Sequence, residues 1–107
     1  MKKALVFFKD SLAGYLTDND NYFEFRYDEN YLKDGLPISV TFPLRKEPYV
    51  SKEFFPFFDG LIVEGWLLKT VEDNWKIDPN DRMSLLMLVG EDTIGAVSIK
   101  EVVDNGN

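Results

Sequence analysis

At 107 residues and 12.4 kDa, with 45% apolar and 29% charged residues, the chain has the length and composition of one ordinary soluble domain with room for a single core. It contains no Cys and no His, which excludes disulfides, thiolate chemistry, Cys/His zinc sites and imidazole acid–base catalysis. The charge is lopsided: residues 1–50 carry 7 Lys+Arg against 8 Asp+Glu, and residues 51–107 carry 5 against 11, for a net charge of -7. Phosphate neutralisation needs a basic footprint, so direct nucleic-acid binding is disfavoured and a basic partner suits the second half better.

No apolar run approaches the ~20 residues of a membrane span. Met1-Lys2-Lys3 ahead of Ala4-Leu5-Val6-Phe7-Phe8 lacks the small-residue cleavage site of a secretion signal, so a cytoplasmic location is the expectation.

In chain order, residues 3–8 read as a strand and Lys9-Asp10-Ser11 as a turn. Residues 12–17, around Gly14, read as the second arm of a hairpin. After the polar cluster at 18–21, Phe23-Glu24-Phe25-Arg26-Tyr27 alternates at period two, aromatics on one face and a solvated face opposite. Asp28 is placed to cap a short helical turn ended by Gly35. Ile38-Ser39-Val40-Thr41-Phe42 alternates again and predicts a fourth strand stopped by Pro43, followed by a polar loop with Pro48.

The second half reads as helices. One begins at Ser51, with Pro56 tolerated near its start and Gly60 and Gly65 weakening it; a second covers 66–75, with Leu67, Leu68, Val71 and Trp75 near helical spacing. Asp78-Pro79 predicts a third helix with Asp78 at the N-cap, a buried face of Met83, Leu85, Leu86, Leu88 and Val89, and Gly90 at its end. Residues 95–99 predict a last strand returning to the sheet. The fold class is α+β: a small antiparallel β-sheet with helices packed on one face. Residues 1–103 form one domain and 104–107 a polar C-terminal tail; Met1 and that tail have the character of natural ends.

Constellations with chemistry are few. Asp59 and Glu64 would not share a face of a straight helix, and with no nucleophile, His or metal partner nearby they read as surface or capping carboxylates. Asp18, Asp20 and Asn21 lack the glycine and terminal glutamate of a calcium loop, and the Gly90–Gly95 segment puts Glu91 and Asp92 where a phosphate would be repelled.

The aromatic content, 15% of residues, is high. Phe54-Phe55-Pro56-Phe57-Phe58 cannot all point inward from one helix, since neighbours lie about 100° apart. Either the cluster bridges sheet and helices in one core, or part of it lies under a partner. Phe58, Leu61 and Ile62 read as core. Trp66, just after Glu64-Gly65, sits at an expected break between helical stretches. It is either a large side chain displayed from a corner, a common interface hot spot, or the staple of the next helix; Trp75 continues the Leu68/Val71 stripe and reads as core.

The order of motifs resembles the N-terminal subdomain of the HipA family of toxin–antitoxin serine/threonine kinases. The resemblance is carried over residues 1–103 by Ala13-Gly14-Tyr15-Leu16, by Phe23-Glu24-Phe25-Arg26-Tyr27, by Pro37-Ile38-Ser39-Val40-Thr41-Phe42-Pro43-Leu44, by Phe57-Phe58-Asp59-Gly60-Leu61-Ile62-Val63-Glu64-Gly65, and by Asp92-Thr93-Ile94-Gly95-Ala96-Val97 after the Leu85-to-Gly90 segment. The family's usual proline before the acidic residue is replaced here by Val63. The ATP-binding loop, catalytic Asp and metal ligands of the full kinases have no counterpart, so kinase activity does not carry over.

A free-standing subdomain of this kind is similar to the small-protein family HipS of the tripartite HipBST systems. There the kinase toxin HipT lacks the subdomain, the helix-turn-helix protein HipB binds operator DNA, and the small protein supplies the missing piece in trans as antitoxin. The resemblance implies a non-enzymatic inhibitor of a HipA/HipT-like kinase, with a HipB-like protein in the complex and no cofactor or metal. Partner contacts are then expected at Trp66, Glu64, Gly65 and Leu67. Two alternatives stand beside it: a structural module that completes or stabilises the kinase complex without inhibiting it, and a small-molecule-binding or carboxylate-based enzymatic domain.

Overall fold

The computed structural model describes residues 2–68, 78, 80–91, 93 and 95–102, with the backbone alone for 66–68. Five strands form one antiparallel sheet: β1 (Lys2–Phe8), β2 (Ser11–Asp18), β3 (Phe23–Tyr27), β4 (Tyr49–Ser51) and β5 (Val97–Glu101), in the order β4-β3-β2-β1-β5. Three helices complete the fold: α1 (Tyr31–Asp34), α2 (Pro56–Leu68) and α3 (Arg82–Val89). The β1–β2 turn is a two-residue loop in which Lys9 and Asp10 both have positive φ, the geometry whose twist matches paired strands. The expected return of the last strand is present: β5 pairs antiparallel with β1, Leu5 opposite Lys100 and Phe7 opposite Ser98.

Alternation along the strands divides the sheet into two faces. Ala4, Val6, Ala13, Leu16, Phe25, Tyr27, Val97 and Ile99 are buried on the inner face, under Phe58, Leu61 and Ile62 of α2 and Met83, Leu85, Leu86 and Val89 of α3. Phe25 is the hub of the aromatic cluster, 4.9 Å from Tyr27, 4.9 Å from Phe42 and 5.7 Å from Phe58 by ring centroids. The sequence cluster 54–58 therefore serves mainly as core: Phe55 and Phe58 are buried, and Phe54 reaches back to Phe23 at 5.1 Å.

Residues 38–42 do not form the predicted fourth strand. Ser39 Oγ accepts from the Thr41 N–H at 3.1 Å and Phe42 N–H bonds Ser39 O at 3.0 Å, folding the segment into a turn. Ile38 and Phe42 are buried while Val40, which alternation would place with them, is 95% exposed. The turn is held from beneath by Tyr27, whose hydroxyl accepts from the Ile38 N–H at 3.0 Å and donates to the Phe42 carbonyl. Burial pushes the Tyr27 phenol up to about 12, so this hydroxyl keeps its proton at any ordinary pH. The fourth strand is β4, inside the segment expected to be loop.

Three helix boundaries also differ. Ser51 closes β4, and α2 opens at Pro56, where a missing N–H costs nothing. No break occurs at Glu64-Gly65: α2 runs on to Leu68, because the Gly65 Cα lies against α3 and packing across the crossing outweighs glycine's low propensity. The third helix starts at Arg82 with Asp81 as N-cap, its carboxylate accepting from Ser84 N–H; Asp78 instead accepts from Asn80 N–H at 2.9 Å in a preceding turn. The N-cap position of α1 is Asn30, without a side-chain cap; Asp28, expected as the cap, lies two residues before it and accepts from the Asn30 and Tyr31 N–H groups, and Gly90 is the C-cap of α3. The expected helical stripe beyond residue 68, including Val71 and Trp75, lies outside the described residues, as does the tail 104–107.

Candidate protein-binding surface

The expected contact residues fall on the last two turns of α2. Its inward positions Phe58, Leu61, Ile62 and Gly65 follow the i, i+3, i+4, i+7 pattern of a buried face. A Cβ at Gly65 would lie 2.2 Å from the Val89 carbonyl oxygen, so this glycine sets the closeness of the α2–α3 crossing. Glu64 is half-buried, and Val63 beside it is 58% exposed. Backbone geometry puts Trp66 on α2 three residues beyond Val63, not on a corner between helices; the side chains of Trp66 and Leu67 lie outside the described residues. The structure thus gathers Glu64, Gly65, Trp66 and Leu67 on one helix end but turns Gly65 toward α3.

Two polar ties fix the start of α3, one to the first turn of α2 and one to the sheet. Arg82 Nε donates to Asp59 Oδ1 at 2.8 Å, linking α3 to α2. Lys2 Nζ donates to Asp81 Oδ2 at 2.8 Å and to Ser84 Oγ at 2.6 Å, linking β1 to the start of α3. Partial burial works to raise the Asp81 pKa, but the hydrogen bonds from Lys2 and Ser84, with the lysine charge, outweigh it and hold the carboxyl below its ordinary value. Asp59 is therefore a helix-pairing carboxylate, and among the described residues it joins no group of three or more side chains able to hold a metal ion.

Sequence reasoning missed a second surface. On the outer face of the sheet, Leu5 and Phe7 of β1 stand beside Leu12 and Tyr15 of β2, all half-buried. Lys3 Nζ lies 4.8 Å and Arg26 Cζ 5.0 Å from the Tyr15 ring centroid, and the Tyr15 hydroxyl donates to Asp28 Oδ1 at 2.8 Å. That hydrogen bond, with desolvation, raises the Tyr15 pKa, so the ring stays neutral between its cations. The signal was present in the sequence: Ala4-Leu5-Val6-Phe7-Phe8 is a continuous apolar run, the pattern of a strand covered on both faces.

Neither surface is a deep enclosed pocket. A groove of ≈ 240 Å³ between Phe42, Tyr49, Val50 and Phe57 is edged by Arg45, whose guanidinium lies 3.7 Å from the Tyr49 ring centroid. A wider open recess beside the β1–β2 turn mixes Lys9, Asp28, Asp34 and Leu36. Among the described residues, no helix is long and apolar enough to cross a membrane.

Comparison with known proteins agrees with this architecture. An uncharacterized protein of Haemophilus influenzae is 34% identical over 101 residues, 94% of this chain and 93% of its own length. A candidate kinase, Y4mE of Sinorhizobium fredii, is 31% identical over 97 residues, 88% of this chain but 23% of its own length. Among solved structures, the N-terminal domain of HipA toxin superposes with a TM-score of 0.74 at 25% identity, covering 98% of this chain and 96% of that one. The Shewanella oneidensis MR-1 HipA, HipB and operator DNA complex contains a chain that matches at a TM-score of 0.57 and 19% identity over 96% of this chain and 24% of its own, a likeness of fold. The family profile described as HipA N-terminal domain matches residues 4–100, and the chain belongs to that family.

Proposed function

We propose that this protein is a non-enzymatic antitoxin-type partner of a HipA/HipT-like serine/threonine kinase, which it binds and restrains within a toxin–antitoxin assembly that also holds a HipB-like DNA-binding protein. The observation that carries the reading is that 97 residues, 4–100, match the HipA N-terminal domain, while a relative matched over 93% of its own length consists almost wholly of the same domain. In Y4mE the same region is less than a quarter of a much longer chain. A domain that serves as one part of a kinase in some relatives, and stands alone in another, is suited to dock on such a kinase in trans.

The end of α2 is the contact this reading favours, its helix positions 64, 66 and 67 carrying Glu64, Trp66 and Leu67 while Gly65 holds the helix on α3. Trp66→Ala is expected to melt with the wild-type chain yet require roughly tenfold or more higher concentration for half-inhibition of the cognate kinase, as loss of an interface tryptophan commonly does. Equal inhibition by the two proteins would remove Trp66 from the contact. Tight binding without any loss of phosphoryl transfer would instead make the chain a structural completion of the kinase.

A further inference from the structure

The outer face of the sheet has a composition that its exposure does not explain. Across β3, β2, β1 and β5 one row reads Arg26, Tyr15, Leu5 and Lys100, and the adjoining row reads Glu24, Thr17 and Lys3. A third row pairs Leu12 with Phe7 and Phe7 with Ser98. These rows hold Lys3, Arg26 and Lys100 against Glu24 in a protein of net charge -7; Asp28 bonds Tyr15 at one margin of the face, and Asp10 and Glu91 line a recess with Phe7, Ser98 and Lys100 at another. Lys3 and Lys100 are exposed, and Leu5, Phe7, Leu12 and Tyr15 are half-buried. Among the described residues, neither the core nor the apolar side chains packed on it include those four.

Central strands that are apolar on both faces belong to sheets covered on both sides, whereas a sheet open to water on one side shows clean alternation. β1 has the first pattern, and the described chain covers only one of its faces. The cations that flank Tyr15 and Leu5 at the centre of the face specify what would complement it: an apolar anchor over Leu5 with carboxylates meeting Lys3, Arg26 and Lys100. In Y4mE the equivalent domain is joined to a chain of which it makes up 23%, so a HipA-type kinase has ample surface outside this domain to provide such a cover.

We infer that the outer face of the β-sheet is a second docking surface, distinct from the end of α2, that takes a carboxylate-bearing apolar segment of the HipA-type kinase. The inference rests on the kinase-binding function proposed above. It implies a two-sided grip, with α2 on one side of the domain and the sheet on the other.

The test is calorimetric titration of the purified cognate HipA-type kinase with the full chain, at low and at high salt. The wild-type chain is compared with Lys3→Glu/Arg26→Glu/Lys100→Glu and with the milder pair Lys3→Glu/Lys100→Glu, which leaves the half-buried Arg26 in place should the triple variant fail to fold. The expected result is wild-type melting for the pair, binding weakened roughly tenfold or more by charge reversal, and a smaller salt dependence in the reversed proteins. Wild-type affinity in a folded reversed variant would overturn the second surface and leave the kinase-binding function standing. A wild-type chain that does not bind the kinase would overturn both. Reversal-sensitive dimerisation in sedimentation, or reversal-sensitive binding of a single-stranded oligonucleotide, with the kinase affinity unchanged, would reassign the face to a second copy or a polyanion and overturn the inference.

Discussion

The two faces of one sheet teach different lessons, although the same strands build both. The inner face is closed by the protein's own helices, and Phe25, Tyr27, Phe42 and Phe58 form one connected cluster of rings. The outer face carries apolar residues on the same strands, yet it is dressed with Lys3, Arg26 and Lys100, and its Leu5, Phe7, Leu12 and Tyr15 are not among the described residues of the core or those packed on it. Burial on the first face holds the fold; chemistry on the second is available to a partner.

The sharpest way to break this contrast is to truncate matched positions. Phe25→Ala on the inner face empties the centre of the aromatic cluster and is expected to cost about 3–5 kcal/mol by urea denaturation. Leu5→Thr, two strands away on the outer face, is expected to cost only about 0.5 kcal/mol. Comparable losses at the two sites would mean that the outer strip is part of the core.

The α2–α3 contact offers a second contrast between two glycines on one helix. Gly65→Ala forces the added methyl against the Val89 carbonyl and is expected to destabilise by about 1–3 kcal/mol. At Gly60 a Cβ would meet nothing within 4 Å, so Gly60→Ala is expected to stabilise by about 0.5–1 kcal/mol through helix propensity. Thermal melts of the two variants moving in opposite directions check the crossing.

Tyr27→Phe strips the hydroxyl that serves the Ile38 N–H and the Phe42 carbonyl, both buried, and is expected to cost about 1–3 kcal/mol while leaving the aromatic stack in place. The smallest effect concerns charge. Because the folded Asp81 pKa is depressed, its contribution is fully present above the ordinary carboxylate value and is lost as pH falls through the folded value. Asp81→Asn keeps an acceptor at the N-cap but loses the Lys2 pair, so its stability deficit is expected at neutral pH and should shrink toward acid. A deficit that stays constant with pH would show the Lys2 pairing to be inert.

Residues with a local cause were legible in the sequence. Period-two alternation found β3, the apolar run found β1, the extended pattern around Gly14 found β2, Gly90 marked a real helix end, and Asp28 marked the turn just ahead of α1. The misreadings came where tertiary contacts overrule local pattern. Residues 38–42 alternate like a strand, but the Tyr27 hydroxyl and the Ser39 side chain offer their backbone other partners. The expected break at Gly65 vanished because a helix two dozen residues further on needs that glycine for close approach. For the candidate surface, residue type singled out the end of α2, but it could not separate Gly65, turned to α3, from its neighbours. The outer face was overlooked because only pairing brings Lys3, Arg26 and Lys100 around Tyr15 and Leu5 from four different strands.

The most direct measurement is phosphoryl transfer by the purified cognate HipA-type kinase as this chain is added past saturation, with complex formation followed in the same samples. The account predicts that kinase activity falls to a small residual fraction at the stoichiometric point. Full activity in a fully formed complex, or no complex at all, would contradict it.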